Sequence, residues 1–239
     1  MTERMAKILG ATVQEFIETG MPISSGELYS KHGFDVKPAT IRNELNALTE
    51  SGYLMQPYTS GGRIPTDKGY QFFVHEVLNH LHEEHRKASE KIVALKEALM
   101  RQQFAGFVNN VAEHFGVLGV GYTPTNRSLV KSNIHELIGD LVKSHTITDL
   151  DEIYDIIRDF ETLDARMGEL SETIPRQDNP SVFVGKNPIT KSPHLSVIAD
   201  RFSIGDEEIL ITVIGPKRMD YGSRIRFFVQ LKDHMNNHE

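Results

Sequence analysis

The chain has 239 residues, a formal net charge of −7 and no cysteine. This length suffices for one large domain or two small ones, and the lack of cysteine excludes disulfides, thiolate metal sites and cysteine nucleophiles. No apolar run is long enough to span a membrane and residues 1–20 lack the pattern of a secretory signal, so we expect a cytoplasmic protein without membrane association.

The negative charge restricts where a nucleic acid can bind. A nucleic-acid-binding protein is expected to carry a basic surface that displaces counterions from phosphates. Residues 2–74 are almost neutral, with seven Lys and Arg against eight Asp and Glu, and most of the acidity lies further along the chain. Any nucleic-acid surface must therefore be local.

Two helices are predicted at the start of the chain. Apolar residues recur at every third or fourth position over 3–19, which is the pattern of an amphipathic helix. Ser24 is followed three residues later by Glu27, which is the pattern of a capping box. A short second helix is therefore expected over 25–32.

A third helix is predicted from Pro38 to about Ser51. Proline is favoured at the first helical position, and the spacing of Ile41, Leu45 and Leu48 places them on one face. This face should pack inward, which leaves the opposite face in solvent.

Two strand-like segments follow, at 53–56 and 63–65, and a glycine-containing loop joins them. Three helices followed by such a hairpin are the parts of a winged helix-turn-helix. We therefore assign residues 1–74 to a winged helix-turn-helix DNA-binding domain, with 38–51 as its recognition helix and 57–65 as its wing.

The rest of the chain completes an α+β fold. Residues 75–116 are helical by propensity and carry an apolar stripe, which is either a helical connector or a dimer seam. Residues 117–239 mix strands and helices and form a further domain. Its strands are predicted at 117–122, 182–185, 195–202 and 208–214, and its helices near 133–143, 149–170 and 220–234.

The outward face of the third helix carries the clearest candidate site. Asn43 and Asn46 lie on this face, and Thr40 and Arg42 flank it. Asparagine side chains read adenine edges in the major groove and arginine reads guanine. Lys37, just before the helix, is suited to a phosphate near the positive end of the helix dipole.

The predicted wing supplies a second group of candidates. Gly61 and Gly62 permit backbone conformations that other residues avoid, and Thr59 and Ser60 offer hydroxyls and amides to phosphate. Arg63 is placed to enter a minor groove. The competing interpretation is that the helix face is ordinary solvated surface and that the two glycines only form a turn.

Other kinds of chemistry receive little support. No Ser, His and Asp arrangement carries a recognisable nucleophile motif, so we predict no enzyme activity and no catalytic residue. Among the clustered histidines, His82 and His85 have a helical spacing that would suit a metal, but a solvated helix explains them and we assign no metal site. GVLGVG at 116–121 has neither the GxGxxG order nor a P-loop lysine, so it is interpreted as a strand and no cofactor is predicted.

Three stretches of the chain resemble the heat-inducible transcription repressor family, HrcA. The longest matches almost continuously through the predicted recognition helix, wing and following helix, and the other two lie in the last quarter of the chain. They are PATIRNELNALTESGYLMQPYTSGGRIPTDKGYQFFV at 38–74, VFVGKNPI at 182–189 and ITVIGPKRMDYG at 211–222.

The resemblance implies a homodimeric repressor that binds double-stranded DNA at an inverted-repeat operator upstream of chaperone genes and releases it on heat shock. It also implies an N-terminal winged helix, a GAF-like domain with an inserted dimerisation domain, and dependence on a GroEL-type chaperonin. The positions that match the family's DNA-binding pattern are Thr40, Arg42, Asn43, Thr59, Ser60, Gly62 and Arg63.

Two features depart from the family pattern. Lys37 stands where the family usually has serine, which exchanges a helix cap for a cation near phosphate. The stretch between Tyr122 and Ser132 is too short for the early strands of the GAF-like domain and its insert, so 117–239 is expected to be a reduced GAF-like domain. The helices over 76–115 are then expected to join two copies, because an inverted repeat calls for two-fold protein symmetry.

The leading hypothesis is a sequence-specific repressor without catalytic chemistry, and two others stay open. The GAF-like domain of a small-molecule-sensing regulator would bind a ligand that tunes DNA affinity, which requires an apolar pocket among the strands. The acidic balance and the missing insert also suit an interaction module that has lost operator binding.

Overall fold

The computed structural model describes residues 1–58, 61–81, 104–143, 147, 149–204 and 207–236. The chain divides into two compact units, Met1–His80 and Leu81–Glu239. Helices and antiparallel strands are mixed, which confirms the α+β class. No helix within the described ranges is both long and apolar enough to cross a lipid bilayer.

The first unit begins with three helices whose ends follow local capping signals. They are α1 (Glu3–Thr19), α2 (Ser25–His32) and α3 (Pro38–Glu50). Ser24 forms the predicted capping box with Glu27. Gly20 and Gly33 end α1 and α2 in left-handed backbone, which glycine adopts without strain. All three predicted helices are confirmed, and α3 is one residue shorter than expected.

The core of the first unit lies between the apolar faces of these helices. Ile8, Leu9 and Val13 of α1 and Ile41 and Leu48 of α3 have no exposed surface. Burial of each such side chain contributes about 1.5–3 kcal/mol to stability. Because α3 turns its apolar residues inward, its polar face lies in solvent.

A short hairpin follows α3. Its strands are β1 (Leu54–Met55) and β2 (Ile64–Pro65), which pair antiparallel. The backbone of Arg63 also pairs with that of Ile23 through hydrogen bonds of 2.9 and 2.8 Å. The segment before α2 is thereby tied to the hairpin, and α4 (Asp67–Leu81) begins directly after β2.

A five-stranded antiparallel sheet organises the second unit. Its strands are β3 (Leu118–Thr123), β4 (Ser128–Lys131), β5 (Ser181–Val184), β6 (Leu195–Ile204) and β7 (Glu207–Pro216). The order in the sheet is β4-β3-β7-β6-β5, so the first and last strands of the unit lie side by side at its centre. The long strands β6 and β7 pair along their whole length.

Helices pack on both faces of this sheet. They are α5 (Phe104–Phe115), α6 (His135–Lys143), α7 (Leu150–Glu161), α8 (Leu163–Thr173) and α9 (Tyr221–Asn236). On one face, Val120 of β3 joins Leu137, Ile156 and Met167 of α6, α7 and α8 in one buried cluster. On the other face, α9 contacts β6 through the ring of Phe228, which packs against Phe202.

Two details of the second unit differ from the sequence prediction. The sequence predicts no strand between Tyr122 and Ser132, yet β4 lies there and pairs with β3. That prediction is wrong because a four-residue strand with no clean alternation of buried and exposed residues leaves little signal. The helix predicted over 149–170 is two helices, since Thr162 both ends α7 and begins α8.

The apolar stripe of α5 is buried inside the second unit. Phe107, Val108 and Val111 are at most 1% exposed. These residues are therefore not available for the dimer seam expected over 76–115. Residues 82–103 of that predicted seam lie outside the described residues.

The glycines of GVLGVG permit this close packing of α5 on β3. A Cβ on Gly119 would lie 2.8 Å from the carbonyl oxygen of Val108. A Cβ on Gly121 would lie 2.4 Å from the ring of Phe104. Both distances are shorter than van der Waals contact, so steric fit between helix and strand accounts for both glycines.

Candidate nucleic-acid interface

Five of the ten residues that the sequence singles out lie on α3 or directly before it. Lys37, Arg42, Asn43 and Asn46 are exposed, and Thr40 is half-buried. Within the described part of the chain, the side chains of Lys37, Arg42 and Asn43 make no hydrogen bond or ion pair. These three side chains are therefore free to meet a ligand.

The start of α3 has no side-chain cap. Lys37 occupies the N-cap position with extended backbone, and no side-chain hydrogen bond caps the helix there. An ammonium group only donates, so it cannot accept from the backbone N–H groups of the first turn. The positive end of the helix dipole and an exposed cation thus lie together, an arrangement that favours an anion.

Arg63 of the hairpin binds two side chains of α3. Its Nη2 donates to Oδ1 of Asn46 at 2.7 Å, and its Nε donates to Oγ1 of Thr49 at 3.0 Å. Its Nη1 lies 3.5 Å from the carbonyl oxygen of Gly62, which is the outer limit of a hydrogen bond. Arg63 thus joins the helix and the hairpin into one surface, and Nη1 is the guanidinium nitrogen with the longest hydrogen bond.

The two glycines of the hairpin serve close packing. The sequence predicts unusual backbone at Gly61 and Gly62, but neither adopts the left-handed conformation. A Cβ on Gly62 would lie 2.5 Å from the backbone carbonyl of Ile23, and one on Gly61 would lie 2.7 Å from the ring of Tyr58. Gly62 therefore lets the hairpin backbone reach the segment before α2.

A cleft of about 330 Å³ lies between the hairpin, α3 and the start of α2. Its polar lining includes Ser24, Arg42, Asn46, Gln56 and Arg63. Two arginines and several neutral donors therefore converge on a volume that can accept a phosphate group.

Some candidates lie outside this cleft or cannot be placed. Thr40 and Asn43 of α3 and Lys37 just before it do not line the cleft. Thr59 and Ser60 of the predicted wing lie outside the described residues. The cleft and the outward face of α3 are thus adjoining parts of one candidate interface.

Sequence reasoning missed two residues of this interface. Thr49 donates its hydroxyl hydrogen to the carbonyl oxygen of Leu45 at 2.8 Å, which leaves its oxygen to accept from Arg63. Gln56 donates to the carbonyl oxygen of Gly61 at 3.2 Å across the hairpin. A hydroxyl three residues after Asn46 is the only sequence signal for Thr49, because its role depends on the return of the hairpin.

Some acidic side chains of the first unit are paired with cations. Nε of Arg4 donates to Glu44 of α3 at 2.8 Å. The buried carboxylate of Glu15 pairs with Lys31 and His32 of α2. The hydrogen bond from Lys31 is the largest cause that holds the pKa of Glu15 below its ordinary value. These pairs offset part of the negative charge of the first unit.

Asp200 and Lys232 form a buried ion pair in the second unit. Asp200 of β6 is 1% exposed, and its Oδ1 lies 2.7 Å from Nζ of Lys232 on α9. Burial raises the pKa of Asp200, against the opposing effect of the hydrogen bond from Lys232. Across the described ranges, no three His, Asp or Glu side chains are grouped to hold a metal, and the paired histidines His82 and His85 lie outside those ranges.

The second unit also contains a cavity of about 870 Å³. Its lining includes Tyr122 of β3, Arg127 of the β3–β4 turn and Gly168 of α8. Arg201 and Glu208 also line it and pair with each other. This lining is more charged than the apolar pocket that the sequence analysis required for a small-molecule sensor.

A protein-family model described as the HrcA protein C-terminal domain matches residues 71–225, more than half of the chain. Among solved structures, a crystal structure of a hypothetical protein at 2.2 Å resolution aligns with 99% of this chain and 98% of its own. The TM-score is 0.76 and the sequence identity 18%, so this likeness shows the fold alone.

Curated proteins similar to this chain carry the name heat-inducible transcription repressor HrcA. The protein from Chloroflexus aggregans (strain MD-66 / DSM 9485) is 50% identical over 78 residues, 33% of this chain and 21% of the relative. The protein from Bifidobacterium animalis subsp. lactis (strain AD011) is 54% identical over 76 residues, 32% of this chain and 20% of the relative. The alignments thus span about a fifth of each relative's own length.

Proposed function

The chain belongs to the HrcA family, and from this membership we propose that it is a sequence-specific DNA-binding repressor of heat-inducible genes. The names of its curated relatives support this function and describe repressors, not enzymes. In this proposal α3 enters the major groove of an operator half-site, and the hairpin lies against the adjacent sugar–phosphate backbone.

One observation carries the proposal: Arg63 connects the hairpin to the outward face of α3. The two hydrogen bonds to Asn46 and Thr49 hold helix and hairpin in a fixed relation, as simultaneous groove and backbone contact requires. Arg42 is exposed on the same helix and Lys37 is exposed at its N-cap. They supply local positive charge in a chain whose net charge is −7.

Each candidate residue has a proposed role in this complex. Asn43 and Thr40 meet base edges, while Lys37 and Arg42 contact phosphates at opposite sides of the helix. The hairpin residues contact the sugar–phosphate backbone of the DNA with hydroxyls, peptide N–H groups and one guanidinium. They are Thr59, Ser60, Gly61, Gly62 and Arg63.

We propose a winged helix-turn-helix for the first unit and a reduced GAF-like domain for the second. Three helices followed by a two-stranded hairpin support the first assignment. A five-stranded antiparallel sheet with helices on both faces supports the second. Strand β4 lies between Tyr122 and Ser132, the stretch that is shorter here than in the family.

We also propose that two copies bind an inverted-repeat operator upstream of chaperone genes. The two-fold symmetry of such a site calls for a two-fold symmetric protein. Light scattering with and without the duplex measures the molar mass, and a monomer under both conditions would contradict the dimer. Dependence on a GroEL-type chaperonin is a separate proposal, which the yield of active protein refolded with and without the chaperonin tests.

Titration of a labelled duplex at several salt concentrations tests the main proposal. An inverted-repeat duplex from a chaperone-gene promoter should bind more tightly than a scrambled duplex of equal length. The logarithm of its association constant K should fall linearly as the logarithm of the salt concentration rises. Arg42→Ala should reduce the slope by about one for a lost phosphate contact. Lys143→Ala, at an exposed lysine of the second unit, is the matched control and should bind like the parent. Equal affinity for both duplexes, or a slope near zero, would contradict the function.

The cavity of about 870 Å³ supports a second candidate function, a repressor tuned by a small molecule. Gly168→Trp should fill this cavity, because the nearest atom to a Cβ at Gly168 is the hydroxyl of Tyr122 at 3.5 Å. A panel of carboxylates, amino acids and nucleotides is screened for compounds that raise the melting temperature of the parent but not of Gly168→Trp. Such a compound must also change the affinity for the operator duplex, and a panel with no such compound would count against a sensor.

A further inference from the structure

The Arg63–Asn46 hydrogen bond determines how the Asn46 amide is oriented. Asn46 is exposed on the outward face of α3, and its amide lies 2.7 Å from Nη2 of Arg63. A guanidinium has donors and no acceptor, so only the carbonyl oxygen of the amide can face it. Chemistry therefore assigns Oδ1 to the hairpin side, and Nδ2 is the polar atom of the amide that remains for a ligand.

The guanidinium that holds Asn46 is itself anchored. Its Nε donates to Thr49 one turn further along α3, and the Thr49 hydroxyl is oriented by its bond to Leu45. The backbone N–H and C=O groups of Arg63 both form hydrogen bonds with the backbone of Ile23. The anchored arginine cannot follow the Asn46 amide if the amide rotates, so rotation would break their charge-assisted hydrogen bond. The orientation should therefore persist when a ligand approaches.

This orientation changes what Asn46 can read. An asparagine recognises adenine with two hydrogen bonds, for which its oxygen accepts from N6 and its nitrogen donates to N7. The bond from Arg63 takes one lone pair of the Asn46 oxygen and holds that oxygen on the hairpin side, so in this orientation the amide presents its donor to a ligand. In the major groove guanine presents two acceptors, O6 and N7, whereas adenine and thymine present one each, N7 and O4, and cytosine presents only a donor, so a donor is best matched by guanine.

We propose that Arg63 makes Asn46 a donor-only reader that selects guanine at one operator position, while Asn43 keeps both amide groups and can read adenine. This inference rests on the proposed DNA-binding function and specifies which base the interface recognises. Arg63 is a positioning residue here, since it acts on base choice through Asn46. This role differs from the minor-groove contact expected from the sequence and leaves Nη1 of Arg63 to meet a phosphate.

Duplex selection from a library randomised within one half-site tests the proposal. The full-length protein and its variants are each used to select duplexes, which are then sequenced. Asn46→Ala identifies the position that Asn46 reads, because the base preference there should disappear. At that position the parent should prefer guanine, and Arg63→Ala should shift the ratio of adenine to guanine by about tenfold toward adenine, since the freed amide can then bond adenine twice.

Two further variants separate positioning from folding. Asn46→Asp keeps an acceptor for Arg63 but replaces the outward donor by an oxygen, so the preference should move from guanine to cytosine. Arg63→Lys retains a donor toward Asn46 and should restore part of the guanine preference. Asn43→Ala is the control on the same helix and should alter a different position.

The outcomes distinguish this inference from the proposed function. A parent protein that enriches no duplex would overturn DNA recognition itself. A parent that enriches a motif but selects adenine at the Asn46 position would overturn only the donor-only reading. The same holds if Arg63→Ala weakens binding yet leaves the preference at that position unchanged, or if Asn46→Asp does not favour cytosine.

Discussion

Nη2 of Arg63 donates to Oδ1 of Asn46 over 2.7 Å, although 17 residues separate the two in sequence. This bond and the one to Thr49 are side-chain contacts between the hairpin and α3. The same arginine fixes the hairpin to Ile23 through its backbone. Arg63 therefore connects three segments of the first unit.

Removal of this side chain should loosen the hairpin locally. Arg63→Ala deletes two hydrogen bonds to α3. Because these groups are partly exposed, we expect the loss to destabilise the hairpin by about 1 kcal/mol in total. The Ile23 N–H donates to the carbonyl oxygen of Arg63, so its hydrogen exchange should become about fivefold faster. Arg42→Ala removes an exposed arginine without partners in the described residues, and Ile23 should exchange at the parent rate in that variant.

The close approach of the hairpin to Ile23 gives a second prediction. Gly62→Ala would place a Cβ 2.5 Å from the Ile23 carbonyl, so the hairpin must move away. We expect a loss of about 1–3 kcal/mol in unfolding free energy, measured by thermal unfolding of the first unit, together with weaker duplex binding.

Gly10→Ala is the matched control for this substitution. Gly10 lies in α1 and a Cβ there has no neighbour within 4 Å. Alanine is a better helix former, so Gly10→Ala should raise stability by about 0.5–1 kcal/mol. If both variants change stability in the same direction, steric contact at Gly62 is not the reason for the glycine.

The first unit shows which structural features can be predicted from sequence. Ser24 and Glu27 form a cap within four residues, and Ile41 and Leu48 define the inward face of α3 by spacing alone. These signals are local, so they predict the three helices and the exposed face of α3. The exposed state of Asn43 follows from the same periodicity.

The features that sequence could not predict depend on contacts between distant segments. The partner of Arg63 depends on how the hairpin returns over α3, and no local pattern encodes that path. Gly62 looks like a turn residue in sequence, whereas its role is set by Ile23, far away in the chain. The same reasoning applies to Gly119 and Gly121, where α5 packs too closely on β3 to leave space for a side chain.

The pairing of Glu15 with Lys31 predicts a pH dependence of the first unit. The pKa of Glu15 is lowered in the folded state, first by the hydrogen bond from Lys31. Its stabilising contribution is therefore complete above the unfolded pKa, near 4.5, and is lost as pH falls through the lower folded pKa. Unfolding free energy measured from pH 6 to about 3 should fall more steeply for the parent than for Lys31→Met.

Lys7→Met is the control for this titration. Lys7 also pairs with a carboxylate, that of Glu3, but both side chains are largely exposed. Exposed pairs contribute little, so this variant should follow the pH profile of the parent. A profile for Lys31→Met that coincides with that of the parent would show that the Glu15 pair does not contribute.

The uncapped start of α3 predicts a trade between stability and DNA affinity. In Lys37→Ser the serine hydroxyl can accept from a backbone N–H of the first turn, because the N-cap backbone is already extended. Such a cap adds about 1 kcal/mol, seen as a higher melting temperature. The same change removes a cation beside the helix dipole, so affinity should fall for all duplexes and the slope of log K against log salt concentration should decrease by about 0.9. Lys143→Ser, at an exposed lysine of the second unit, should change neither quantity. A variant that gains stability and keeps the parent salt slope would remove Lys37 from the interface while leaving α3 in place.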